Sequence, residues 1–128
     1  MKFEFNNPPR RFIVGNSVKF DMHDCGKLEL AADEQVTFVT EDGAEYDVAR
    51  KDWGFYATPS LNGRLKQFGL RGVLIKNRDT ARYFVLLVQR GHEPQFNDYC
   101  VQENLALIAW LDSTEQLDGL AEKLSAKE

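Results

Sequence analysis

Two long apolar segments, separated by only four polar residues, constrain the fold of this chain most strongly. Phe68 to Lys76 and Ala81 to Gln89 are nearly continuous hydrophobic runs, and Asn77-Arg78-Asp79-Thr80 joins them. Strands that are covered on only one face alternate polar and apolar residues, whereas strands covered on both faces do not. The sequence therefore predicts a pair of strands here that is buried on both faces.

The residues after this pair indicate helix, strand and helix. Pro94 suits the first turn of a helix whose apolar stripe contains Phe96, Tyr99 and Cys100. Leu105 to Leu111 is a further strand candidate. Ser113-Thr114-Glu115-Gln116 fits a helix-capping box, and apolar residues follow it at helical spacing: Leu117, Leu120, Ala121 and Leu124.

The first half of the chain has the pattern of short β-hairpins. Gly15-Asn16 separates two short strand candidates, and Asp24-Cys25-Gly26 predicts a turn before a strand over Lys27 to Ala31. Asp42-Gly43, between Glu34–Thr40 and Ala44–Arg50, is the strongest hairpin signal.

These patterns predict an α+β fold in one compact domain over residues 1–128. A β-meander occupies residues 1–50, and a strand–strand–helix–strand–helix unit occupies residues 67–128. Residues 51–66 are expected to form an aromatic and polar loop that joins them, the one long irregular stretch of the chain.

Composition limits the classes of function. No stretch approaches the roughly 18 apolar residues of a membrane span, and the N-terminus does not have the pattern of a signal peptide. Cys25 and Cys100 are too far apart in sequence to suggest a disulfide framework or a zinc site, so the cytoplasm is the expected location. The net charge is −4, but residues 63–92 contain seven cations and one acid, which leaves −10 for the rest. This basic middle could attract an anionic ligand.

The run from Lys51 to Arg64 contains the candidate binding residues. Its aromatic side chains Trp53, Phe55 and Tyr56 could stack on a sugar or a nucleobase. The expected polar contacts are hydrogen bonds to a hydroxyl or a phosphate and charge neutralisation by guanidinium groups. The residues assigned to these roles are Thr58, Ser60, Asn62, Arg64 and Arg71. The same aromatics could instead seal the seam between the two halves of the fold, with Asn62-Gly63 as a turn.

Other kinds of site have little support in the sequence. His23 and Cys25 could share the face of a strand, but no third group that would orient them is evident. With only two histidines, His23 and His92, no metal-ligand spacing occurs, and no cofactor motif is present. Nucleic-acid binding would rest on the basic middle alone and is not expected, given the overall acidity.

The block Trp53-Gly-Phe-Tyr-Ala-Thr-Pro-Ser-Leu-Asn-Gly-Arg64 resembles a small family of uncharacterised bacterial proteins. The segments Phe68–Arg71, Tyr83–Val88 and Ala109–Asp112 share this resemblance. Members of that family accompany genes for cell-surface sugar biosynthesis. The resemblance implies an accessory role near nucleotide-sugar or phosphosugar metabolism, and it carries no catalytic residue.

Three functions are therefore expected in order. The first is a non-enzymatic binding or accessory domain for a sugar phosphate, a nucleotide sugar or a biosynthetic enzyme. The second is a small isomerase or lyase acting on a nucleotide sugar, with Asp52, Tyr56 or His23 as the general base. The third is a protein–protein interaction module that uses the aromatic loop. The sequence leaves open whether two copies form a homodimer.

Overall fold

The computed structural model describes residues 1–125, which form eight strands and three helices. The α+β fold class is confirmed. The strands build three antiparallel sheets, in the orders β1-β2, β3-β4-β5 and β7-β6-β8. The elements, in chain order, are β1 (Lys2–Val14), β2 (Phe20–Glu29), β3 (Gln35–Val39), β4 (Glu45–Lys51), β5 (Gly54–Ala57), α1 (Arg64–Gln67), β6 (Leu70–Asn77), β7 (Arg82–Gln89), α2 (Glu93–Gln102), β8 (Leu105–Trp110) and α3 (Thr114–Ser125).

The chain divides into two compact units. The N-terminal unit consists of Met1–Thr37 and Asp47–Thr58, and the C-terminal unit consists of Phe38–Tyr46 and the chain from Pro59 onward. The expectation of a single domain over residues 1–128 stays a prediction.

The C-terminal unit contains the buried core, and β6 is its central strand. Val73 and Ile75 of β6 are 0% and 1% exposed. They belong to one cluster with Phe96 and Cys100, which α2 supplies. On a second cluster, Leu65 of α1 packs with Ala44 and Leu70. The predicted order of strand, strand, helix, strand and helix is confirmed for this unit.

Burial on both faces is confirmed for β6 but not for β7. Because β7 lies at the edge of its sheet, its first half is open, and Tyr83, Phe84 and Val85 are exposed. The α2 stripe is also only partly covered: Phe96 and Cys100 are buried, whereas Tyr99 is exposed.

The last helix begins where the capping pattern predicts. The backbone N–H of Gln116 donates to Ser113 Oγ at 3.3 Å, as an N-cap serine requires. The apolar stripe on α3 is less buried than its spacing predicts, since Leu120 and Leu124 are exposed.

The first half of the chain departs from the predicted series of short hairpins. β1 and β2 pair as one long hairpin from Lys2 opposite Glu29 to Val14 opposite Phe20. The turn expected at Asp24-Cys25-Gly26 is wrong, because these residues continue β2. Asn6 to Pro9 instead bulge out of β1 between Phe5 and Arg10. The predicted hairpin at Asp42-Gly43 is confirmed, with the Thr40 N–H donating to the Ala44 carbonyl at 2.9 Å.

The loop predicted over residues 51–66 is also wrong, because it contains β5 and the start of α1. Asp52 and Trp53 form a two-residue turn that pairs Lys51 with Gly54. Gly54 has a φ of 146°, which side chains rarely tolerate. This conformation lets the chain reverse at once, so Phe55 and Tyr56 belong to a strand.

We predict that Gly26→Ala destabilises the protein by more than about 1 kcal/mol. Gly26 has a φ of 136°, and an added Cβ would overlap the carbonyl oxygen of Glu4 in the paired strand. Urea denaturation followed by far-UV circular dichroism measures the change.

Gly119→Ala is the matched control, because nothing lies within 4 Å of its added Cβ. This substitution within α3 should stabilise the protein by about 0.5–1 kcal/mol. Equal stability of Gly26→Ala and the wild type would contradict the strained pairing at Gly26.

Candidate functional site

A cavity of about 400 Å³ lies within the N-terminal unit. This volume falls in the range of small-molecule sites. The strands β1, β2, β4 and β5 contribute its walls, together with the residue that follows β2. The lining residues are Lys2, Glu4, Lys27, Leu28, Glu29, Leu30, Arg50 and Phe55.

Arg50 gives this cavity an unpaired donor. The backbone of Arg50 is fixed on β4, because its N–H donates to the Glu34 carbonyl at 2.8 Å and its carbonyl accepts from Asp33 N–H at 2.7 Å. Its side-chain Nη1 is shielded from solvent and has no hydrogen-bond partner within residues 1–125. A buried donor without an acceptor is unfavourable, so a ligand oxygen at this position would be stabilising.

The charged residues around the cavity leave a small excess of positive charge. Three cations, Lys2, Lys27 and Arg50, face two acids, Glu4 and Glu29. Lys2 Nζ lies 4.0 Å from Glu29, and both side chains are largely exposed, so this ion pair is weak. The cavity therefore favours a ligand with an anionic group and hydroxyls that can donate to the carboxylates.

Phe55 supplies an apolar wall. It pairs in register with Arg50 across β4 and β5, which brings the ring and the guanidinium to the same cavity. Although it lines the cavity, Phe55 is 65% exposed. Much of its surface is therefore accessible to a sugar or a base.

The other two aromatics of the predicted stacking wall lie apart from this cavity's lining. Trp53 and Tyr56 contact each other edge to face, with ring centroids 6.4 Å apart. They are 66% and 51% exposed. Neighbouring residues of a strand point to opposite faces, so β5 separates Phe55 from Tyr56. The three rings form two surfaces rather than one wall.

Thr58 is the last residue of the N-terminal unit's second segment. Its N–H donates to the Asp47 carbonyl at 3.1 Å. Its Oγ1 is buried and has no hydrogen-bond partner in the described part of the chain. Asp47 Oδ1 accepts from Thr37 Oγ1 at 2.6 Å, which fixes this end of β4.

Ser60, Asn62 and Arg64 belong to the C-terminal unit, where they build the start of α1. Ser60 Oγ accepts from the Arg64 N–H at 3.0 Å. Asn62 Nδ2 donates to Thr114 Oγ1 at 3.0 Å. The Arg64 guanidinium lies over the ring of Phe68, with Cζ 5.0 Å from the centroid. The boundary between the units thus falls between Thr58 and Pro59, inside the predicted run.

Arg71 holds parts of the C-terminal unit together. Its Nε donates to Asp112 Oδ2 at 2.6 Å, and its Nη1 donates to Glu93 Oε2 at 3.3 Å. The guanidinium also covers the ring of Trp110, 3.9 Å from its centroid. The hydrogen bond from Arg71 lowers the pKa of the Asp112 carboxyl, although burial opposes the shift. Two carboxylates therefore already neutralise Arg71.

The cysteines do not form a thiol–imidazole pair. Cys25 Sγ lies 3.6 Å from the backbone carbonyl of His23 rather than from its ring. Cys100 packs in the core beneath α2, and burial raises the pKa of its thiol.

Arg50 and Phe55 are the site residues that the sequence did not reveal. The signal that could have found them is the Asp52-Trp53-Gly54 turn, because a two-residue hairpin loop there places Arg50 opposite Phe55.

Comparison of the chain with protein-family models, with curated protein sequences and with solved structures finds no match. Within the described residues, no helix combines the length and apolarity needed to cross a membrane. Over the same residues, no group of three or more His, Cys, Asp or Glu side chains is placed to hold a metal ion.

We predict that Asp112→Asn lowers stability at neutral pH by about 1–3 kcal/mol, because it leaves the Arg71 guanidinium short of an acceptor. A carboxyl whose pKa is lowered by folding stabilises the protein above its ordinary pKa and loses that contribution as the pH falls through the folded value. The wild type should therefore lose stability below about pH 4 more steeply than the variant. Urea denaturation at a series of pH values measures both effects.

Asp118→Asn, which removes a carboxylate from an exposed position on α3, is the control and should change neither quantity. The account of Arg71 would be wrong if Asp112→Asn matched this control at neutral and at acidic pH.

Proposed function

We propose that this chain is a non-enzymatic binding domain that holds a small anionic ligand of the sugar-phosphate or nucleotide-sugar class beside Arg50. The observation that carries the proposal is the buried Arg50 Nη1, which lacks an acceptor at the wall of a cavity of suitable size. The resemblance of the Trp53–Arg64 block to proteins that accompany sugar-biosynthesis genes supports this ligand class.

Each group around the cavity has a role in such binding. A phosphate oxygen would accept from Arg50 Nη1, and Lys2 and Lys27 would add longer-range attraction. Phe55 would pack against the C–H face of a sugar or stack on a base. Glu4 and Glu29 would accept hydrogen bonds from sugar hydroxyls. In the proposal, the ligand is recognised by its charge and its hydroxyls together.

The enzyme hypothesis has less support. It requires a general base at the substrate, and the bases suggested by the sequence are Asp52, Tyr56 and His23. None of these residues lines the cavity that contains Arg50. A binding role needs no such group, so we favour it over an isomerase or a lyase.

An accessory role toward a biosynthetic enzyme is the second candidate. The exposed surfaces of Trp53 and Tyr56 support it, because aromatic side chains are common anchors at protein interfaces. This surface involves residues that the cavity does not use, so the two functions are separable. In both proposals the chain works in the bacterial cytoplasm, where the unpaired Cys25 and Cys100 would stay reduced.

We predict that a member of a panel of sugar phosphates and nucleotide sugars stabilises the wild-type protein. A ligand at about 100 times its dissociation constant adds roughly 2.7 kcal/mol. Arg50→Gln should weaken its binding by at least about tenfold, since a hydrogen bond to a charged group contributes roughly 1.5–3 kcal/mol. Thermal-shift titration, followed by calorimetry for the compounds that respond, measures the change.

Arg82→Gln removes the same charge from an exposed position on β7 and should leave affinity unchanged. Trp53→Ala serves as a second control, because Trp53 lies outside the cavity lining. Equal affinity of Arg50→Gln and the wild type would overturn the cavity proposal. Absence of any shift across the panel would favour the accessory role.

A further inference from the structure

The β1–β2 hairpin displays an apolar stripe on one face. Residues opposite each other in the register share a face, and the pairs Phe12–Met22 and Val14–Phe20 are both apolar. Toward the chain's start, Phe3 and Phe5 lie on the same face, with stacked rings 3.9 Å apart. We call these six residues the hairpin stripe: Phe3, Phe5, Phe12, Val14, Phe20 and Met22.

The hairpin stripe is open to solvent. Phe5 is 75% exposed, and Phe3 and Met22 are each 46% exposed. Every buried hydrophobic residue in the described chain belongs to the C-terminal unit, and the buried residue of the hairpin's own unit is the charged Asp47. A contiguous exposed apolar patch of this kind marks an interaction surface.

A two-stranded hairpin with an uncovered apolar face is marginally stable in water. Addition of a third strand along β1 would be hindered at Pro8 and Pro9, which have no N–H to donate. Covering the face, rather than extending the edge, is therefore the more favourable way to stabilise this hairpin.

The charges on the stripe indicate what covers it. Arg10 and Asp24 are paired in register at the middle of the face, and Arg10 Nη2 lies 3.2 Å from Asp24 Oδ2. Phe3 and Phe5 lie on one side of this ion pair, and the other four stripe residues lie on the other side. A two-fold axis through the ion pair would place each apolar half over the opposite half of a second copy. The same axis would set Arg10 of each copy against Asp24 of the other.

We propose that the hairpin stripe is a homodimer interface, in which two copies pack face to face about a two-fold axis at the Arg10–Asp24 pair. A surface that complements itself in charge and apolarity is what a two-fold dimer requires. Because one hairpin face is smaller than the surfaces that permanent dimers bury, the association is reversible and depends on concentration. This proposal goes beyond the ligand site and does not depend on it.

Charge reversal at the axis tests the proposal on the full chain. Arg10→Asp leaves two carboxylates at the centre of the stripe, and Asp24→Arg leaves two guanidiniums. Each variant alone should self-associate at least about tenfold more weakly than the wild type, because like charges would face each other across the axis. An equimolar mixture should recover the dimer, although the ion pair within each hairpin stays broken. Sedimentation velocity over a concentration series measures all three samples.

Cys25→Ser is the matched control, since Cys25 lies on the opposite face of β2 from Asp24, and it should dimerise like the wild type. Circular dichroism checks that each variant is folded. A monomeric wild type throughout the series would overturn the proposal, as would variants that dimerise normally or a mixture that stays monomeric. Co-sedimentation of a monomeric wild type with phosphatidylcholine–phosphatidylglycerol vesicles would assign the stripe to a lipid surface instead and would equally overturn it.

Discussion

The structure depends on the burial of one strand, β6. Val73 and Ile75 lose essentially all contact with solvent, and α2 covers them with Phe96 and Cys100. Hydrogen bonds to β7 on one side and β8 on the other satisfy the backbone of this strand. The Arg71–Asp112 and Arg71–Glu93 bonds then tie β6 to the chain on both sides of its sheet. Apolar burial is the main stabilising term, and the ionic contacts fix the arrangement.

The N-terminal unit is built differently, and its candidate functions follow from that difference. Its strands leave the hairpin stripe exposed, and they surround a charged cavity instead of a hydrophobic core. Arg50, with a buried nitrogen that lacks an acceptor, is unfavourable for the empty protein and favourable for an anion-bound one. A unit with this surface gains stability from what it binds, through mass action. The ligand site and the homodimer interface are two separate consequences of that property.

Local patterns predicted much of the fold but little of the site. The continuous apolar run of β6 and the Ser113 cap of α3 were visible, because both arise from neighbouring residues. The pairing of Arg71 with Asp112 was not, since 41 positions separate them and many acids could have served. Gly54 closes a turn that the sequence did not reveal, so Arg50 was missed as the neighbour of Phe55. The cation-rich middle suggested anion binding, yet Arg71 is neutralised internally and Arg78 Nη1 donates to the Leu105 carbonyl.

Hydrogen exchange in dilute protein tests the central claim most directly, because exchange rates report local opening free energies. The account predicts that the β6 amides of Val73 and Ile75 exchange slowest, at the rate of global unfolding. The β1–β2 amides, including those of Phe12 and Phe20, should exchange much faster, since no core of their own unit holds them. Protection of the hairpin equal to that of β6, at concentrations where the protein is monomeric and free of ligand, would contradict the account.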